Sequence, residues 1–258
     1  MCAAIVRSDV VDRFTREGTL LLGGGYAILL QVADPVVGAA VAHHSDFANR
    51  PLHRLHNTLT FVYGVMLGTP AESAVVATAT TAAHTRIPGA NDPERQLWVA
   101  ATLYETAVRV YERVHGPVGA PERHEVLARY ARLGTALQMP ATVWPADPSA
   151  FADYWAATVA TLEIGPDARR VAHDLFHPTT APLWLRAVLP VASLLTASLL
   201  DPPLRDAFGM RWSPPRARRA RVAWAVIRAA ARVLPQRVLT APSRHYLSRI
   251  RVMPDRAA

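Results

Sequence analysis

The apolar positions of this chain recur with a helical period rather than a two-residue one. Over residues 51–67 (PLHRLHNTLTFVYGVML), Leu55, Thr58, Leu59, Val62 and Met66 return at spacings of three and four, which predicts an amphipathic helix. Thr69, Pro70, Ala71 and Glu72 then read as a capping box with proline at the first helical position. The helix they open is expected to run to about Arg86, where Ile87, Pro88 and Gly89 stop it. A long amphipathic helix is expected from Pro93 to His115, started by Asn91 and Asp92 and closed by a turn at 116–119. The same pattern predicts helices at 121–138, 148–163, 167–176, 181–200, 216–233 and 240–250, and an apolar one at Tyr26–Val32 behind a Gly23, Gly24, Gly25 turn. Strand alternation between hairpin turns, repeats of fixed period and Gly/Ser linkers do not occur. The expected fold is all-α: one multi-helix domain over 1–213, with a basic helical extension over 214–258 packed on it.

Composition permits one sizeable core, since 51% of the 258 residues are hydrophobic and only 19% are charged. A single cysteine, Cys2, excludes a disulfide framework, a cysteine-based zinc site and an iron–sulfur cluster. No run of 18 uncharged apolar residues occurs, and the first 16 residues are too charged for a signal peptide, so a soluble, cytoplasmic protein is expected.

Charge is distributed unevenly. All 28 basic residues are arginine. Residues 1–204 hold 15 of them against 18 acids, and residues 205–258 hold 13 against 2. A near-neutral body therefore carries a strongly basic tail, which suits an anionic partner. Within 216–232 the arginines surround Val222, Ala223, Trp224, Val226 and Ile227. The favoured reading packs that apolar face on the body. The other lays it on a membrane surface with the tryptophan as anchor. Residues 182–200 are very apolar, but Arg186 and Pro190 interrupt them, which reads as a core helix rather than a span. No nucleic-acid-binding module is recognisable, and no such partner is expected.

The candidate chemistry is narrow. The glycine triplet lacks the lysine of a phosphate-cradling loop and the parallel sheet of a dinucleotide site. His43 with His44, His53 with His56, and a solitary Glu112-x-x-His115 lack the second half of a carboxylate-bridged bundle site. His84 is different. Helical spacing places Thr80, Thr81, Ala77 and Ser73 along its face, small side chains that let a flat cofactor approach while one imidazole reaches a metal. A single neutral imidazole suffices to hold haem iron; a lone histidine on an Ala/Thr-rich helix is also commonly structural. On the preceding helix Arg54, Asn57, Thr58, Phe61 and Val65 share a face. Leaving such polar groups buried and unmet costs about 1–3 kcal/mol each. They either stay wet at a helix boundary or orient a bound ligand such as dioxygen.

These segments together resemble the mpaB-type oxygenases, the family that includes the rubber oxygenase (latex-clearing protein). The resemblance runs from about Gly24 to Trp212. It rests on residues 23–37 (GGGYAILLQVADPVV), 44–47 (HSDF), 54–58 (RLHNT), 84–89 (HTRIPG), 91–93 (NDP) and 97–103 (LWVAATL), in that order and spacing. It implies an all-α fold enclosing a haem b pocket. His84 matches the proximal iron ligand, and Arg54 and Thr58 match the distal arginine and threonine of the rubber-cleaving branch. Asn57 stands where that branch has a lysine, which excludes lysine as sixth ligand. Ala100 stands where many relatives have histidine. The branch's catalytic glutamate has no aligned counterpart, Asp34 and Asp46 lying only in its vicinity, so polyisoprene is not the expected substrate. The resemblance implies a haem b-dependent oxygenase or oxidase of secondary metabolism that uses dioxygen or peroxide on a small hydrophobic or aromatic substrate. In it His84 binds the iron, Arg54, Asn57 and Thr58 act on the distal side, and Thr80, Thr81, Ala77 and Phe61 flank the porphyrin. A non-catalytic haem carrier or sensor, and a cofactor-free membrane-associated helical protein, are the rival readings.

Overall fold

The computed structural model describes residues 11–44, 51–178 and 182–252, without side chains at 44 and 51–53. Cys2, Asp46 and the side chains of His44 and His53 lie outside the described residues. Among those described, every regular element is helical. A 3-10 segment, Gly18–Gly23, leads into α1 (Gly24–Ala33) and α2 (Pro35–His44). Then come α3 (Pro51–Leu67), α4 (Pro70–His84), α5 (Pro93–His115), α6 (Ala120–Thr135), α7 (Pro148–Ala160) and α8 (Pro166–Phe176). The chain ends with α9 (Leu183–Leu199), α10 (Pro202–Ala207), α11 (Pro214–Val233), α12 (Gln236–Leu239) and α13 (Ala241–Arg251).

Several helices begin where a side chain meets the free N–H groups of the first turn. At α4 the capping box is closed in both directions: the Thr69 hydroxyl accepts from the Glu72 amide at 3.2 Å, and the Glu72 carboxylate accepts from the Thr69 amide at 2.7 Å. Asp92 caps α5 by accepting from the amides of Glu94 and Arg95, and Pro93 occupies the first helical position. α4 stops at His84, two residues before the expected end. Gly89 then turns the chain with φ +76°, and a Cβ there would stand 2.9 Å from Val36 on α2. Only glycine adopts that conformation freely and fits that gap.

Helix α5 runs through the middle. Leu97, Ala101, Tyr104 and Val108 join a cluster formed with α3, α4, α6, α7 and α13. Trp98, Val110 and Val114 join a second cluster with α1, α2, α8, α9 and α11. Trp98 locks the second cluster to the first: its indole N–H donates to the Leu30 carbonyl at 3.1 Å, and its ring stacks on Trp155 at 5.3 Å.

Two features differ from the sequence reading, and a third, Trp224, follows the favoured of its two alternatives. The glycine triplet is not a loose turn; Gly24 opens α1, and a Cβ on Gly25 would collide with the Thr196 hydroxyl of α9. Trp224 is no surface anchor. It is 2% exposed, donates to Ser198 Oγ at 2.9 Å and belongs to the second cluster, so the Trp224 side of α11 packs on the body while Val222 and Val226 stay exposed. Of the apolar helix α9, the C-terminal half is core, with Leu195, Thr196, Ala197 and Leu199 buried, but the N-terminal half projects into solvent.

The last helix is part of the core as well. Leu247 and Ile250 of α13 enter the first cluster, and the Tyr246 hydroxyl sits 2.6 Å from His56 Nδ1 on α3. Arg251 donates to Glu72 at 3.1 Å, which ties α13 to the start of α4.

Candidate functional site

Helices α3 and α4, side by side, form two walls of a cavity of about 600 Å³. That volume falls in the range of roughly 300–1,000 Å³ usual for cofactor and small-molecule sites. From α4 come Val76, Ala79, Thr80, Ala83 and His84, and from α3 come Arg54, Asn57, Thr58, Phe61 and Val62. α2 adds Val36, Val37, Ala40 and Val41. α5 adds Arg95, Gln96, Val99, Ala100 and Leu103, and the 87–90 segment completes the lining.

Of the residues singled out in the sequence, the structure brings Arg54, Asn57, Thr58, Phe61, Thr80 and His84 together around this one space. Ala77 and Thr81 do not line it. The cavity stripe on α4 passes through Val76, Thr80 and His84, each four residues apart, and Ala77 and Thr81 lie beside that stripe. Val65, assigned to the α3 face, is buried in the first core cluster instead. Ala100 lines the cavity and presents only a methyl group to it.

The electrostatics single out His84. Its Nδ1 is buried and has no hydrogen-bond partner. Burial, and then the positive charge of Arg54, hold its pKa below the ordinary 6.5, so the ring is neutral at pH 7. A neutral imidazole has a lone pair to give to a metal. Burial also lowers the pKa of Arg54 itself.

Three other histidines meet partners in the scaffold. His43 Nε2 lies 3.4 Å from Asp167 on α8, His115 Nε2 lies 3.6 Å from Glu17, and His56 meets Tyr246. Among the described residues no three His, Cys, Asp or Glu side chains converge on one point.

Two polar groups on α5 escaped the sequence reading. Gln96 is only 6% exposed, lines the cavity, and leaves its amide nitrogen without an acceptor. Arg95 lines it too; its Nη1 pairs with Asp92 at 2.5 Å, and its Nε is 3.9 Å from Asp34. Gln31 of α1 is held by a 3.2 Å hydrogen bond to Thr102. The available signal was a glutamine at the head of the stripe that continues through Val99, Ala100 and Leu103. An unmet buried amide costs about 1–3 kcal/mol, which a ligand acceptor would offset. The arrangement can hold a large apolar molecule, offer one neutral imidazole to a metal, and meet an acceptor or a carboxylate from α5.

Comparisons with known proteins agree with this picture. The family described as ER-bound oxygenase mpaB/B'/Rubber oxygenase, catalytic domain, matches residues 11–229. An uncharacterized protein of Mycobacterium bovis and one of Mycobacterium tuberculosis are each similar, 32% identical over 224 residues, with 81% of this chain and 88% of theirs covered. No solved structure matches the chain.

Proposed function

Because the chain belongs to the mpaB/rubber oxygenase catalytic-domain family, we propose that it is a haem b-dependent oxygenase or oxidase acting on a small hydrophobic or aromatic molecule. The observation that carries the reading is His84: a neutral imidazole with a buried, unpartnered nitrogen at the edge of a largely apolar cavity. The residues present fit the group. His84 would ligate the iron, Thr80, Ala79 and Ala83 leave room for a flat ring beside it, and Arg95 supplies positive charge for a porphyrin carboxylate.

Haem b, when bound, supplies the redox chemistry that uses dioxygen or peroxide. The chain does the rest. Arg54, Asn57 and Thr58 donate hydrogen bonds that orient the oxidant and the substrate. Phe61, Val62, Val99 and Leu103 keep water out, which strengthens each of those polar contacts. Asn57, an amide, can orient a ligand without occupying the iron as an amine would.

Purified protein titrated with haemin should develop a Soret band, and His84→Ala should abolish it. A protein that leaves the spectrum of added haemin unchanged ends the proposal. A haem carrier would share the spectrum but not the chemistry. If Arg54→Ala and Thr58→Ala leave peroxide consumption by the haemin-loaded protein unchanged, the roles given to those side chains are wrong.

A further inference from the structure

The N-terminal half of α9 and the outward side of α11 take no part in that site. Leu183 is 80% and Trp184 62% exposed, and Val188 and Val191 follow on the same stripe at helical spacing, also exposed. α9 packs along α11, whose outward side sets Val222 and Val226 among Arg218, Arg219, Arg221 and Arg228. None of those four arginines makes an ion pair with another described residue, and of the tail arginines Arg251 is the one seen to meet a carboxylate, Glu72. Exposed apolar side chains on both helices, with unpaired cations beside them on α11, are costly to leave in water unless something covers them.

We infer that this α9–α11 face docks on an anionic lipid surface. The charge selects the occupant. A second copy of the chain would bring two faces together, each from a region holding 13 arginines against 2 acids, and the repulsion opposes it. An anionic bilayer answers both halves of the surface. Leu183, Trp184, Val188 and Val191 enter the acyl boundary, while the arginines lie among the headgroup phosphates. Arg186 lies between the apolar residues and reaches back to the headgroups through its long stem. No single described helix is long and apolar enough to span a membrane.

Flotation of the full chain with phosphatidylcholine vesicles, with and without phosphatidylglycerol, tests this. Binding is expected only where phosphatidylglycerol is present, and it should weaken as salt is raised. Trp184→Glu combined with Val188→Glu should lower the partition coefficient at least about tenfold, and so should Arg218→Glu with Arg221→Glu. All four positions are exposed, so helical content, thermal midpoint and haemin titration should stay at wild-type values. The haemin titration separates this inference from the proposed function, on which it does not depend. Equal binding to neutral vesicles, no binding to either kind, or unchanged binding in both double variants overturns the inference. A dimer in light scattering that Trp184→Glu dissolves, without vesicle binding, assigns the face to a second copy instead.

Discussion

At the scale of single residues, the candidate site depends on a histidine kept neutral by its surroundings. The folded His84 pKa lies below 6.5, burial being the larger cause and Arg54 the lesser. Above pH 6.5 the ring is neutral in folded and unfolded chains alike and stability does not depend on it. Below, the unfolded chain takes up a proton that the folded chain refuses, so stability falls as pH drops from 6.5 toward the folded value. The cofactor-free protein should therefore show a thermal midpoint that declines through this window, and the decline should be shallower in His84→Ala. An equal slope in both would mean that the ring is not desolvated. Gln96 makes the opposite point. A glutamine among apolar residues reads as surface, and nothing local in the sequence indicates that its amide is buried. That fact comes from tertiary packing, in which α1 lies against α5, a contact distant in the chain.

At the scale of elements, most of the fold was legible because its starting signals are local. Thr69 with Glu72, Asp92 with Pro93, and Asp147 with Pro148 each cap a helix within four residues, and each does so in the structure. Thr69→Ala should destabilise the protein by about 1 kcal/mol in denaturant unfolding, and Thr69→Ser should restore most of it. A loss within error would show that the Glu72 carboxylate, through the residue-69 amide and Arg251, holds the helix end without the hydroxyl. What was not legible was orientation. Ala77 and Thr81 share a helical face with His84 by count, but the cavity takes its lining from the neighbouring stripe, because the crossing of α3 and α4 decides which residues meet. Trp224 was left between two alternatives for a similar reason, the favoured one being the packing that the structure shows. A basic helix with one tryptophan suits a membrane or a protein core equally well, and the Ser198 acceptor that decides between them is 26 residues away.

At the scale of the whole molecule, α5 is shared by both core clusters, and the cavity lies beside it, lined by residues from each. α13 fastens this assembly from behind, joined to α3 through Tyr246 and Ile250 and to α4 through Arg251. Ile250→Ala should cost about 2–5 kcal/mol in denaturant unfolding, as for other large-to-small changes in a packed core. A cost under about 1 kcal/mol would make α13 an ornament rather than a brace. The family match ends at residue 229, twelve residues short of that helix. A recombinant chain trimmed to the matched span would therefore keep every side chain proposed to touch the iron or its ligands while losing the splint that sets the gap between the two helices carrying them. Pale, aggregating material from such a truncation would report a missing buttress and say nothing against the chemistry.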